Sequence, residues 1–125
     1  PVYYVQYAHA RICSLVARMK EEGAGVSAAS AIDASVFSTP EELALVKTLS
    51  LFPEEIRLAS RDYDPSHINR YLLTLAGDFH RFYNACRIKG EEEHVLAARL
   101  KLADTVRSVL ANGMTLIGVT APEKM

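Results

Sequence analysis

Apolar residues recur three and four positions apart along nearly the whole of this 125-residue chain, and no segment alternates them over the length of a strand. That spacing lines one side of an α-helix with apolar side chains, and such a stripe is stable only when buried against other helices. The pattern predicts an all-α bundle of about five helices. Its clearest stretch is Ile68, Leu72, Leu75, Phe79, Phe82 and Cys86, a helix expected from about Pro65 to Lys89 and stopped by Gly90. Gly77 inside it costs about 1 kcal/mol against alanine, which points to close packing at that position.

The other helices follow from stripes and stop signals. Val5, Ala8, Ile12, Leu15, Val16 and Met19 form the buried side of a first helix from Val2 to about Glu22, ended by Gly23 and Gly25. Residues 24–38 are small and polar and read as a loop with room for one short turn. Thr39-Pro40-Glu41-Glu42 is a start signal: the threonine caps, the proline suits the first helical position, and Glu42 closes a capping box. This helix should end near Ser50. Pro53 opens a short one through Asp62, with Ile56 and either Leu58 or Ala59 inward, and Asp64-Pro65 repeats the cap-then-proline signal. The last helix is expected from Glu92 to Asn112, with Leu96, Leu100, Ala103, Val106 and Leu110 inward and Gly113 as its stop. Met114 to Gly118 can add a turn, and Val119 to Met125 should lie on the surface as a tail.

Length and composition fit one domain: half of the residues are apolar and 23% are charged. Cys13 and Cys86 have no paired spacing and read as reduced core thiols of a cytosolic protein. No apolar run approaches the roughly 18 residues a membrane helix needs. The chain opens on Pro1 rather than Met and so reads as a piece of something longer. Net charge is −1, yet the cations are clustered: Arg11, Arg18 and Lys20 near the start, and Arg70, Arg81, Arg87 and Lys89 later, against Asp78 alone. Packed side by side, those two segments would present a basic face on a nearly neutral protein.

Reaction chemistry is hard to find. There is no Gly-rich phosphate loop, no nucleophile with a matched base, and no carboxylate pair on an apolar helix face. His9 and Cys13, four apart, could share a metal ion, but no second pair has matching spacing. A core thiol beside a hydrogen-bonded histidine is the plainer reading there, as it is for His80 and Cys86. His67 and His94 read as surface residues. The informative feature is a repeated pair: Tyr7 and Arg11, then Tyr83 and Arg87, each four apart and so on one helix surface beside the apolar stripe. Tyr4 extends the first pair, and His80 and Asn84 flank the second. A tyrosine beside an arginine suits an unstacked nucleotide, which stacks on the ring while the guanidinium meets phosphate or a base edge. From spacing alone, boundary tyrosines and solubilising arginines explain the same residues. A helical protein-interaction module without an RNA role also stays open, as does a small helical enzyme or metal protein.

The string Val2-Tyr3-Tyr4-Val5-Gln6-Tyr7-Ala8-His9-Ala10-Arg11-Ile12 resembles the opening of the C-terminal DALR-type anticodon-binding domain of bacterial arginyl-tRNA synthetases, class I enzymes. Three further stretches are similar to that family in order: PEELALVKTLSLFP at 40–53, FHRFYNACRIKG at 79–90 and GMTLIGVTAPEKM at 113–125. Residues 24–38 carry no match. The resemblance implies a fragment whose parent attaches arginine to tRNA with ATP and Mg, while the HIGH-type and KMSKS-type motifs of the catalytic domain are absent here. It implies as partners the anticodon loop of an arginine tRNA and the catalytic domain of the same chain, no membrane, and a monomer in the cytoplasm. It also implies that Tyr7 and Arg11 face the anticodon loop and that Tyr83 meets the anticodon. Arg87 falls where some relatives carry an aromatic. Met125 matches a terminal methionine near the anticodon, so the end at Met125 reads as native. No catalytic residue, metal or cofactor is expected in this stretch itself.

Overall fold

A computed structural model describes all 125 residues. Five α-helices form, with two short 3₁₀ turns after the first and no strand: α1 Val2–Glu21, α2 Pro40–Ser50, α3 Phe52–Asp62, α4 Ser66–Ala85 and α5 Glu93–Leu116. The 3₁₀ turns, Ala29–Ala31 and Ala34–Val36, occupy the stretch read as a loop. No helix is long and apolar enough to cross a membrane.

The helix with the longest apolar stripe became the centre of the bundle. Helix α4 packs against α1, α2, α3 and α5 alike. Its Leu72, Leu75, Phe79 and Phe82 are fully buried, beside Ile12 of α1, Leu45 of α2 and Leu100, Val106 and Leu110 of α5. Each such side chain contributes roughly 1.5–3 kcal/mol by leaving water.

Helix α2 begins as its start signal requires. The Thr39 hydroxyl accepts the Glu42 N–H at 3.1 Å, and Glu42 Oε1 accepts the Thr39 N–H at 3.0 Å. Glu42 does more than cap. It is fully buried, also accepts the Ser38 N–H at 3.1 Å, and receives Arg99 Nε of α5 on its other oxygen at 2.9 Å. Burial alone would raise its pKa. The Thr39 N–H, the Arg99 guanidinium, the Ser38 N–H and the Thr39 hydroxyl outweigh that and hold the carboxyl below its ordinary range. At the start of α4 the Asp64 carboxylate accepts the Ser66 N–H at 3.0 Å, the role its position before Pro65 suggested.

Four expectations are corrected. Helix α4 ends at Ala85, a turn early, because Cys86 is extended and residues 86–89 alternate: Cys86 and Ile88 point into the core, Arg87 and Lys89 into solvent. Arg99 fixes that strand-like segment by donating to the Arg87 carbonyl at 2.8 Å. Helix α5 runs through Gly113 and stops at Gly118 (φ +74°), where the Gly118 N–H donates to Thr115 and the Val119 N–H to Met114. This is the reciprocal pair of bonds in which a left-handed glycine closes a helix. Gly113 is instead where α5 meets α4: an added Cβ would lie 2.5 Å from Leu72 Cδ2. The close packing expected at Gly77 is absent, since its nearest neighbours, Arg81 and Tyr4, are 3.6 Å or more away. Finally, α3 buries no residue completely, and Ile56 is 37% exposed at the edge of a shallow apolar groove it forms with Ala59, Tyr63, Ile68, Leu116 and Ile117.

Candidate nucleic-acid interface

Helices α1 and α4 lie against each other and bring Arg18 of the first cation-rich segment beside Arg87 and Lys89 of the second, whereas Arg70 turns to Ser66 and His67 and Arg81 to Asp78. The tyrosine–arginine pairing differs from the expected one. Arg87 lies beyond the end of α4, so it does not share a helix surface with Tyr83, and its guanidinium pairs with Glu91 at 3.1 Å. Tyr83 takes its cation from the neighbouring helix: Cζ of Arg11 sits 4.5 Å from the Tyr83 ring centroid. A guanidinium over an aromatic face at this distance is a cation–π contact. Tyr83 is half-buried, with its ring against Phe79.

His80 stands at the centre of the group. Its Nδ1 accepts from Arg11 Nη1 at 3.3 Å, and the Tyr4 and Tyr7 rings lean on it with centroids 5.3 and 6.2 Å away. Burial, and after it the Arg11 charge, lowers the His80 pKa. The imidazole is thus kept neutral, one more aromatic surface beside a fixed cation. Tyr4 and Tyr7 remain 42% and 45% exposed and so offer two ring surfaces to solvent one helical turn apart.

Two depressions flank this cluster. One, of about 190 Å³, is bounded by Tyr7, Ala10, Arg11, Ser14 and Met125. The other, of about 420 Å³, lies between the C-terminal ends of α1 and α4. Leu15, Met19, Cys86 and Ile88 line its apolar part, and Arg18, Arg87 and Lys89 stand around it with Tyr83. Arg18 Nη2 reaches the Tyr83 hydroxyl at 3.5 Å and so links the depression to the central cluster. Tyr7, Arg11, Tyr83, Arg87 and Met125 therefore all border one continuous surface, although Arg87 reaches it from a non-helical segment.

The His80–Cys86 association read from the sequence does not form, because Cys86 points to Thr39 Oγ1 at 3.4 Å. His9 and Cys13 do meet, at 3.8 Å. No group of three or more His, Cys, Asp or Glu side chains is placed to hold a metal ion.

Residues 5–125 match the family model described as the DALR anticodon binding domain. The chain belongs to that family. Over all 125 residues this DALR domain is 49% identical to an arginine–tRNA ligase of Acetivibrio thermocellus and 48% identical to one of Bordetella avium, covering 22% of each. It thus spans about a fifth of the length of the curated relatives it matches. Among solved structures, the arginyl-tRNA synthetase of Thermus thermophilus superposes with a TM-score of 0.84 at 33% identity, over 98% of this chain and 21% of that one. A putative arginyl-tRNA synthetase from Campylobacter jejuni gives 0.81 at 28% identity, over 100% of this chain and 26% of that one. The all-helical architecture is the one expected from the resemblance.

The sequence of this DALR domain marked Arg18 only as one of a cluster of cations and not as a site residue, and it undervalued His80. A signal for Arg18 existed: it lies seven residues from Arg11 and hence on the same side of α1, two turns on. Nothing local marked His80 as central, because its importance comes from Tyr4, Tyr7 and Arg11 on another helix.

Proposed function

We propose that this DALR domain reads the anticodon loop of an arginine tRNA, as the recognition part of an arginine–tRNA ligase. The observation that carries the reading is Arg11 lying over the half-buried Tyr83 across α1 and α4, with Tyr4 and Tyr7 open to solvent beside the half-buried His80. Bases of a single-stranded loop splay outward and stack on such rings, and cations beside them meet the phosphates. Tyr7, Tyr83 and Met125 are the base-facing residues, Arg11 supports the stack, and Arg87 meets phosphate together with Arg18 and Lys89. The family and the arginine–tRNA ligase relatives support this reading over a protein-docking module.

Arginine activation belongs to the remaining four-fifths of such a protein. The residues present here do not suit ATP or its Mg: the HIGH-type and KMSKS-type motifs are absent, and no three His, Cys, Asp or Glu side chains are grouped to hold a metal ion. We place the whole protein in the cytoplasm, where tRNA is charged, and as a monomer, because the aromatic surface needs no residue from a second copy.

The test is binding of the 125-residue chain to an arginine-tRNA anticodon stem-loop. We expect weak binding whose logarithm falls with log salt by about 0.7 per phosphate contacted. Arg11→Ala should weaken it about five-fold or more, as should Tyr83→Leu, which keeps the packing on Phe79, because a stacked base is worth roughly 1–3 kcal/mol. If both variants bind as the parent does, the site assignment fails. If the parent captures a protein from nuclease-treated lysate and has no RNA affinity, the docking module replaces this reading.

A further inference from the structure

Tail residues 119–125 are fastened to α1 at two points. Gln6 Nε2 donates to the Thr120 carbonyl at 3.0 Å, and His9 Nδ1 lies 2.9 Å from the Pro122 carbonyl. A carbonyl oxygen can only accept, so His9 carries its proton on Nδ1. The tail also turns Val119 and Ala121 against the core. It covers His9, which explains why α1 buries that residue outside its predicted stripe. Beyond these fastenings Met125, 53% exposed, reaches the depression shared with Tyr7 and Arg11.

We infer that Gln6 and His9 are positioning residues for the stacking surface. They hold the tail along α1 so that Met125 forms one wall of the site beside Tyr7 and Arg11. This rests on the anticodon-loop reading above. Without the fastenings the last hydrogen-bonded anchor is Val119, whose N–H is held by Met114, and only the partly buried packing of Ala121 lies beyond it. Six residues then separate Met125 from its last anchor, instead of three when Pro122 is held. Doubling the free length enlarges the volume open to Met125 by about three-fold for a flexible chain and about eight-fold for an extended one. The fixed φ of Pro122 adds stiffness where the chain leaves its anchor.

The experiment compares stem-loop affinity for the 125-residue chain, the Gln6→Ala/His9→Ala double variant, and both versions shortened to end at Gly118. The double variant is expected to bind about three- to eight-fold more weakly, matching the lost confinement. In the shortened chain the same substitutions should change nothing. His9→Asn with Gln6 intact should restore binding, since its amide N–H sits close to where Nδ1 was. A purely structural role for His9 would weaken both lengths equally and overturn the inference. The Met125 methyl resonance gives an RNA-independent readout: it should narrow to that of a mobile chain in the double variant, and an unchanged resonance refutes the fastening. Loss of binding in Arg11→Ala with none in the double variant sinks this inference and leaves the anticodon-loop reading standing. A parent chain that binds no stem-loop sinks both, whatever the methyl shows about the fastening.

Discussion

Arg11 can only donate hydrogen bonds, and this fixes the state of the histidine it touches. His80 accepts through Nδ1, so the neutral ring keeps its proton on Nε2. Burial and then the Arg11 charge lower its pKa from the ordinary 6.5. The folded chain therefore binds fewer protons than the unfolded one in the window below pH 6.5. The stability linked to a neutral His80 is complete above that pH and is lost as pH falls through the folded value. Urea midpoints should decline between pH 7 and 5, and His80→Gln should flatten that decline; an unchanged slope would show that the decline comes from other groups. The sequence displayed every residue of this cluster, but it paired Tyr83 with Arg87 because both were assigned to one helix. The actual cation partner is Arg11, 72 positions away in the sequence.

At the scale of elements, the two helical glycines behave oppositely. Gly77 has only side-chain neighbours at ordinary contact distance, so Gly77→Ala should stabilise the chain by about 1 kcal/mol through helix propensity alone. Gly113 faces Leu72, fully buried and unable to swing aside. Gly113→Ala should therefore destabilise by about 1–3 kcal/mol, the usual cost of overpacking. Thermal melts of the two variants should shift in opposite directions. Helix α4 makes a related point about legibility. Its stripe was plain in the sequence, yet its end was placed a turn late, because Cys86 continues the helical spacing while also starting the two-residue alternation Cys86–Ile88. Two periods overlap at that residue, and the Arg99 bond to the Arg87 carbonyl favours the extended one.

Across the whole molecule, the Glu42–Arg99 pair connects pieces that the apolar core does not. It joins the turn before α2, the N-terminal third of α5 and, through the Arg87 carbonyl, the segment carrying Arg87 and Lys89 to the candidate interface. Removing Glu42 leaves the partly buried Arg99 charge with only the Arg87 carbonyl to accept from it, at a cost of about 3 kcal/mol, the low end for breaking a buried pair. Glu42→Ala should lower stability by that amount in denaturant titrations and should speed amide exchange in residues 86–92 first. A loss below about 1 kcal/mol would mean that solvent reaches Arg99 and replaces its partner. The pair also makes the chain acid-sensitive. Because the folded pKa is lowered, its contribution is present above the ordinary value of 4.5 and disappears as pH falls through the folded value.

The amino-acid order by itself determined five helices, the caps that start two of them, the buried stripes and the family, since all of these are written in spacings of a few residues or in contiguous strings. Tertiary structure alone decided which arginine meets Tyr83, that His80 sits among three side chains of another helix, that Gly113 rather than Gly77 is pressed by a neighbour, and that the tail covers His9. Each of those contacts joins residues more than 30 positions apart. Their distances depend on how whole helices are angled and offset, a property of the packed core that no local pattern encodes.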